Sequence, residues 1–192
     1  MEKLNDYSGK MRPDLKLSDF SEEALRKLFK VSADLYIGMS QRWARLVKEE
    51  LGEQKAIELG TKMWMERGGC DDEIKLNREA MNILGDDVES VFKYLQIDIG
   101  FTPNIQFEAE LKNKNHGIMT VTNCKYLNEA MERGKYTSMK HACEVIDVLG
   151  FDICAKAFNP RMKSTALALP EIPPPPEGYK GVICQWEFKV EA

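Results

Sequence analysis

The stretch IQFEAELKNKNHGIMTVTNC, Ile105 to Cys124, decides the fold, because the hydrophobic period changes there. Ile105, Phe107, Ala109 and Leu111 alternate with polar residues, which is the two-residue repeat of a half-buried strand. The polar NKNHG, Asn113 to Gly117, is a turn signal, and GIMTVTNC, Gly117 to Cys124, reads as the returning strand. Upstream of Gly100 the repeat is instead close to four residues. Leu25, Leu28, Phe29, Tyr36, Met39, Trp43, Leu46 and Val47 recur along one helix that Ser21 caps, with Glu22 and Glu23 favouring its N-terminus. That helix is expected to stop at Gly52. A second runs from Glu53 to Gly68–Gly69 with Ala56, Leu59, Met63 and Trp64 on one face. Two more are expected over Asp71–Leu84 (Ile74, Arg78, Met81) and Asp86–Gln96 (Val88, Val91, Phe92, Leu95).

Downstream of the hairpin, CEVIDVLGFDICAKAF, Cys143 to Phe158, reads as a helix that ends at Asn159–Pro160, since the residue before proline leaves helical geometry. RMKSTALALP, 161–170, reads as a third strand. In VICQWEFKV, 182–190, Val182, Cys184, Trp186, Phe188 and Val190 are expected to face the core. Between these strands lies PEIPPPPEGYKG, residues 170–181, whose four consecutive prolines form a stiff excursion that cannot join a sheet. It reads either as a rigid connector or as the rim or lid of a pocket. The expected architecture is α+β: N-terminal helices packed on a small antiparallel sheet, with one helix inserted between strands. Residues 1–16 read as a polar tail and 17–192 as one domain, with a helical part over 17–100 and a sheet part over 101–192.

Composition excludes several function classes. A net charge of −4, with 27 basic and 31 acidic residues interspersed, gives no basic stripe for nucleic acid or an anionic membrane. The first residues lack a signal-peptide core, and no apolar run approaches the roughly 20 residues that span a bilayer. Five cysteines without framework spacing point to free thiols and a reducing, cytoplasmic setting. Phosphate-binding glycine loops, GxSxG, HExxH and CxxC are all absent.

The remaining chemistry lies in Cys124, His141, Cys143, Cys154 and Cys184, with Glu144, Asp147 and Asp152 nearby. If a helix starts near Cys143, that thiol sits in the positive field of its first turn. Cys143 is then a candidate nucleophile, His141 its acid/base, and Asp147, one turn on, the orienting group. If the helix starts at Thr137 or Ser138 this argument weakens. Cys124, Cys143, Cys184 and His141 also form a legitimate zinc set. Yet residues two apart on a helix point about 200° apart, so His141 and Cys143 share an ion only if His141 precedes the helix. Cys70 and Cys154 read as core, and His116 as a solvated turn residue.

The order TNCKYL, HACEVID, AKAFNPRMKSTALAL and GVICQWEF resembles the L-2-amino-thiazoline-4-carboxylic acid hydrolase-like family, from about Leu17 onward. The chain is also similar, more distantly, to vinyl-reductase-type ligand-binding domains. The first resemblance implies hydrolytic opening of a cyclic sulfur- and nitrogen-containing compound. It places Cys124, Cys143, Cys184 and Asn159 at family positions, with Trp186 beside them on the last strand. The proline-rich stretch departs from the short glycine turn of those relatives. The second implies a small-molecule pocket without catalysis. A homodimer built on an exposed tryptophan and methionine face is a further expectation.

Overall fold

The computed structural model describes residues 3–66, 69–175 and 178–191. Gly68, the expected end of the second helix, and Pro176, the last of the four prolines, lie outside the described residues. The fold is α+β. Helix α1 (Glu22–Leu51) begins as expected, with Ser21 Oγ accepting from Ala24 N at 3.2 Å. Gly52, at φ +86, ends it and starts α2 (Glu53–Met65) in a conformation open to glycine. Then come α3 (Cys70–Ala80) and α4 (Val88–Leu95). Asp87 caps α4 by accepting from Ser90 N at 2.9 Å. The polar N-terminal segment doubles back: Leu4 pairs with Phe20, and Tyr7 meets the Phe20 ring edge-on.

The sheet comprises β1 (Ile105–Asn113), β2 (His116–Cys124), β3 (Met162–Ala168) and β4 (Cys184–Val190), all antiparallel in the order β1-β2-β4-β3. Between β2 and β3 the chain crosses one face of the sheet through α5 (Lys125–Glu132), α6 (Tyr136–His141), a π-helical turn (Ala142–Ile146) and α7 (Asp147–Phe158). Backbone at both junctions stays helical, so Tyr136 to Phe158 is one helix with a π-turn in its middle. That inserted helix was expected from Cys143 onward. An earlier start at Thr137 or Ser138 was also open, while α5 was not foreseen, although Leu127, Ala130 and Met131 follow helical spacing.

The core lies between the inner face of the sheet and helices α4 and α7. Phe151 of α7 stacks 4.5 Å, centroid to centroid, from Trp186 and meets Phe188 edge-on. Phe92 of α4 meets Phe188 edge-on from the other side, at 5.7 Å. Gly117 makes that possible, since a Cβ there would stand 2.7 Å from the Phe92 ring. Gly117→Ala is therefore expected to lower the urea midpoint through a loss of about 1–3 kcal/mol by overpacking. An unchanged midpoint would show that the Phe92 ring yields freely.

Arg78 ties the helical half to α7. Its guanidinium donates to Ala157 O at 2.8 Å and Gly85 O at 3.1 Å, and it lies 4.1 Å over the Phe158 ring. Several local expectations need correction. Most of the expected α1 stripe, including Leu25, Leu28, Phe29, Met39 and Leu46, is exposed, as are Met81 and Ala109. Leu111 is exposed because the outer half of the edge strand β1 runs beyond the helices that cover its neighbours. Val182 is exposed and Ile183 buried: the strand proper starts at Cys184, and Ile183 N reaches across to Val121 O at 2.8 Å. His116 is not a solvated turn residue, since it opens β2 half-buried, with Nε2 2.9 Å from Glu187 Oε1.

Candidate functional site

Cys124 reaches the core through a β-bulge. Along β2 the inward residues are Gly117, Met119 and Val121, so strict alternation would turn Cys124 outward. Thr122 is the extra residue: Phe107 pairs with Val121, but Gln106 pairs with Asn123. The bulge flips the last position, and Cys124 points inward, its Sγ accepting from Leu127 N at 3.5 Å as the N-cap of α5. On the neighbouring strand Cys184 pairs with Val121 and shares a face with Trp186, whose Nε1 donates to Cys184 Sγ at 3.3 Å. Cys143, in the π-turn, is buried, and Asp147 follows one turn later. Cys124, Cys143, Cys184 and Asp147 lie near enough for the Asp147 charge to act on all three thiols. Three elements thus bring three of the cysteines to one end of the sheet's inner face.

The electrostatics of this cluster argue against a preformed thiolate. Burial, then Asp147 and the other two thiols, pushes Cys143 far above the usual thiol range. Burial raises Cys124, and pushes Cys184 up to about 12 against the opposing Trp186 hydrogen bond. Because the helix begins at Tyr136, Cys143 lies two turns inside it, and the first-turn field invoked for its activation is absent. At pH 8 the clustered thiols are expected to react with a disulfide reagent at least about a hundredfold slower than free cysteine, and readily after unfolding. Free-thiol rates at Cys143 would refute this.

Asp147 is the unusual member. Among the described residues it has no hydrogen-bond or ion-pair partner, and burial alone pushes its carboxyl up to about 7. Asp147 is half-buried, set against the protein interior at the end of the π-turn. The proline-rich stretch closes over this end. Ile172 and Tyr179 pack on the core, Tyr179 O–H donates to Glu171 O at 2.5 Å, and its hydroxyl feels the Cys143 and Cys124 thiols. Tyr179 was not foreseen as part of the site; an aromatic following a proline run was the only available signal.

The other expected residues lie apart. His141 faces α2, with Nε2 3.3 Å from Thr61 Oγ1, so the helical step separates it from Cys143 as its geometry requires. The His141 ring is thus engaged with α2. Among the described residues no group of three or more His, Cys, Asp or Glu side chains is placed to hold a metal ion. Asn159 is structural: its Nδ2 donates to Asp86 O at 3.2 Å and its Oδ1 accepts from Arg161 N at 3.0 Å. Trp186 is 1% exposed and belongs to the core. Cys154, three turns beyond Cys143, is buried near a second polar cluster.

That cluster joins the helices. Tyr36 O–H donates to Glu73 Oε2 at 2.9 Å, Tyr94 O–H donates to Asp98 Oδ2, and Asp98 Oδ1 accepts from Phe101 N at 2.8 Å. Burial, with the Asp98 charge adding, pushes Glu73 up to about 7. A cavity of about 530 Å³ lies outside both clusters, between the start of β1 and α5. Asn123 and Lys125 line it, while Cys124 between them points the opposite way into the core. It is an open polar groove, so it does not shift the weight of the chemistry from Asp147.

Comparison with protein-family models, curated proteins and solved structures finds no significant match to this chain. No helix among the described residues is long and apolar enough to cross a membrane.

Proposed function

We propose that this chain binds a small nitrogen-containing molecule at the cluster of Cys124, Cys143, Cys184 and Asp147, beside Tyr179. The observation that supports this most is the unpartnered, half-buried Asp147 carboxyl among three neutral thiols. A carboxylate set against the interior without a partner is costly, and a protonated amine or amidine-like nitrogen supplies the missing partner. Neutral thiols and the Tyr179 ring suit the soft, apolar remainder of such a ligand.

A hydrolytic reading of the same site is favoured by one observation, the position of the Asp147 pKa near neutrality. A carboxyl that ionises near 7 can give a proton to a ring nitrogen as its bond to carbon breaks, and can take one from the attacking water. Asp147, rather than a Cys143–His141 pair, then carries the acid–base chemistry of opening a thiazoline-like ring. Thermal-shift screening with small cyclic amines and thiazolines tests the binding reading. Ligands should raise the melting temperature of the natural protein and of Asn159→Ala, and lose that effect in Asp147→Asn. Stabilisation that persists in Asp147→Asn would sink it.

A further inference from the structure

We infer that two copies of this chain pair through the open face of α1. The argument rests on pattern, charge and area. Leu25, Leu28, Ser32, Leu35, Met39 and Leu46 follow the alternating three- and four-residue spacing of a coiled-coil seam, with Arg42 in the one intervening slot. They cover about 32 Å of helix. The side of α1 that faces its own chain is a different stripe: Ala24, Ala33, Ile37, Gly38, Ser40, Trp43, Ala44 and Val47 are the buried and half-buried positions. Tyr36 completes that inner side, its ring meeting Trp64 of α2 edge-on. The seam is left open, with Leu35 58% and Met39 64% exposed, and Leu46 exposed beyond them.

The flanks are neutralised within the helix. Arg26 pairs with Glu22, Lys27 with Glu23, Lys30 with Asp34 and Arg45 with Glu49, each four residues apart. A second copy therefore approaches without an uncompensated block of charge. An antiparallel pair about a two-fold axis near the middle of α1 sets Leu28 against the partner's Leu46 and Leu35 against the partner's Met39, each contact occurring twice.

The exposed area leaves room for such a pair. The chain exposes 12168 Å², whereas a compact monomer of 22.0 kDa exposes about 9,300 Å². The excess, about 2,900 Å², exceeds the roughly 1,000–2,500 Å² that each partner buries in an obligate pair. Part of it belongs to the N-terminal segment before α1. The apolar part includes the α1 seam, as well as Leu76, Met81 and Leu84 of the helical half.

Sedimentation velocity on the full chain tests the inference. The natural protein should run at twice 22.0 kDa at micromolar concentration. The double variant Leu35→Glu, Met39→Glu should run as a monomer with unchanged helical circular dichroism. Both positions are exposed within one chain, so the variant has no reason to misfold. Amide exchange along 25–46 should also slow as protein concentration rises. A natural chain that stays monomeric up to about a hundred micromolar overturns the inference, and so does a dimer that survives the double variant. If both chains precipitate, concentration-independent exchange along 25–46 at dilute, soluble levels overturns it equally.

Discussion

Asp147→Asn is expected to make the protein more stable by about 2–4 kcal/mol at pH 8, and by only about 1 kcal/mol at pH 5, where part of the linkage is already present. The sign follows from the proton balance. The folded Asp147 carboxyl ionises near 7 against 3.8 in the open chain, so the folded state holds a proton that the unfolded state has released between those values. Stability therefore falls as pH rises from about 4 to about 7, and the full cost of the buried charge is present above that window. Each pKa unit is worth about 1.4 kcal/mol, and the residual accessibility of Asp147 brings the expected figure below the full shift. Asparagine keeps the shape and removes the charge.

The facing groups do not blur the comparison. Cys124, Cys143 and Cys184 stay protonated throughout the window, since burial raises all three. Glu73 and Asp98 are raised in the same sense, but they titrate in both proteins and cancel in the difference. Urea unfolding of the two proteins at pH 5 and pH 8 measures it. Equal stability at pH 8 would mean that the carboxylate already has a partner, and the proposed ligand role would lose its physical basis. A stabilised variant that no longer responds to ligand is the expected trade between stability and function.

Much of the architecture was legible because periodicity reports burial. The helical stripe of α4 and the two-residue stripes of Ile105–Cys124 and Cys184–Val190 each have one face against a core, and a face leaves a repeat, whereas most of the α1 stripe is exposed. The Ser21 and Asp87 caps and the Asn159–Pro160 stop were legible because each satisfies or breaks local hydrogen bonds. The candidate site was legible only as a set of residues. Its assembly depends on the Thr122 bulge, which turns Cys124 inward, and a bulge leaves no periodic trace in a stretch as mixed as TVTNC. It depends also on where the inserted helix begins, and polar Tyr136–Lys140 gave no apolar signal of that start. Asp147 looked like an orienting group for a cysteine; only the packing shows that it has nothing to orient. The Glu73–Asp98 cluster escaped notice because its members are 25 positions apart and each resembles an ordinary helical or turn acid.

Trp186→Ala should cost about 3–5 kcal/mol, the largest loss from any single truncation in the sheet. The indole is 1% exposed, stacks 4.5 Å from Phe151, and sits in the central strand β4 between Met119 across β2 and Ala166 across β3. Small neighbours such as Ala166 cannot swing into the space, so much of the cavity stays open. Trp186→Phe separates packing from polarity. Phenylalanine keeps an aromatic face toward Phe151 and should retain most of the stability, with a loss of about 1–2 kcal/mol. It removes the Nε1 donor, however, and that hydrogen bond is the one influence that draws the Cys184 pKa downward against burial and Asp147. The Phe variant should therefore react more slowly at Cys184 than the natural protein across pH 8–10, while Cys70 keeps its rate. Equal Cys184 rates would show that the indole only packs against the thiol, which would then take its polarity from Asp147 and its sister thiols alone.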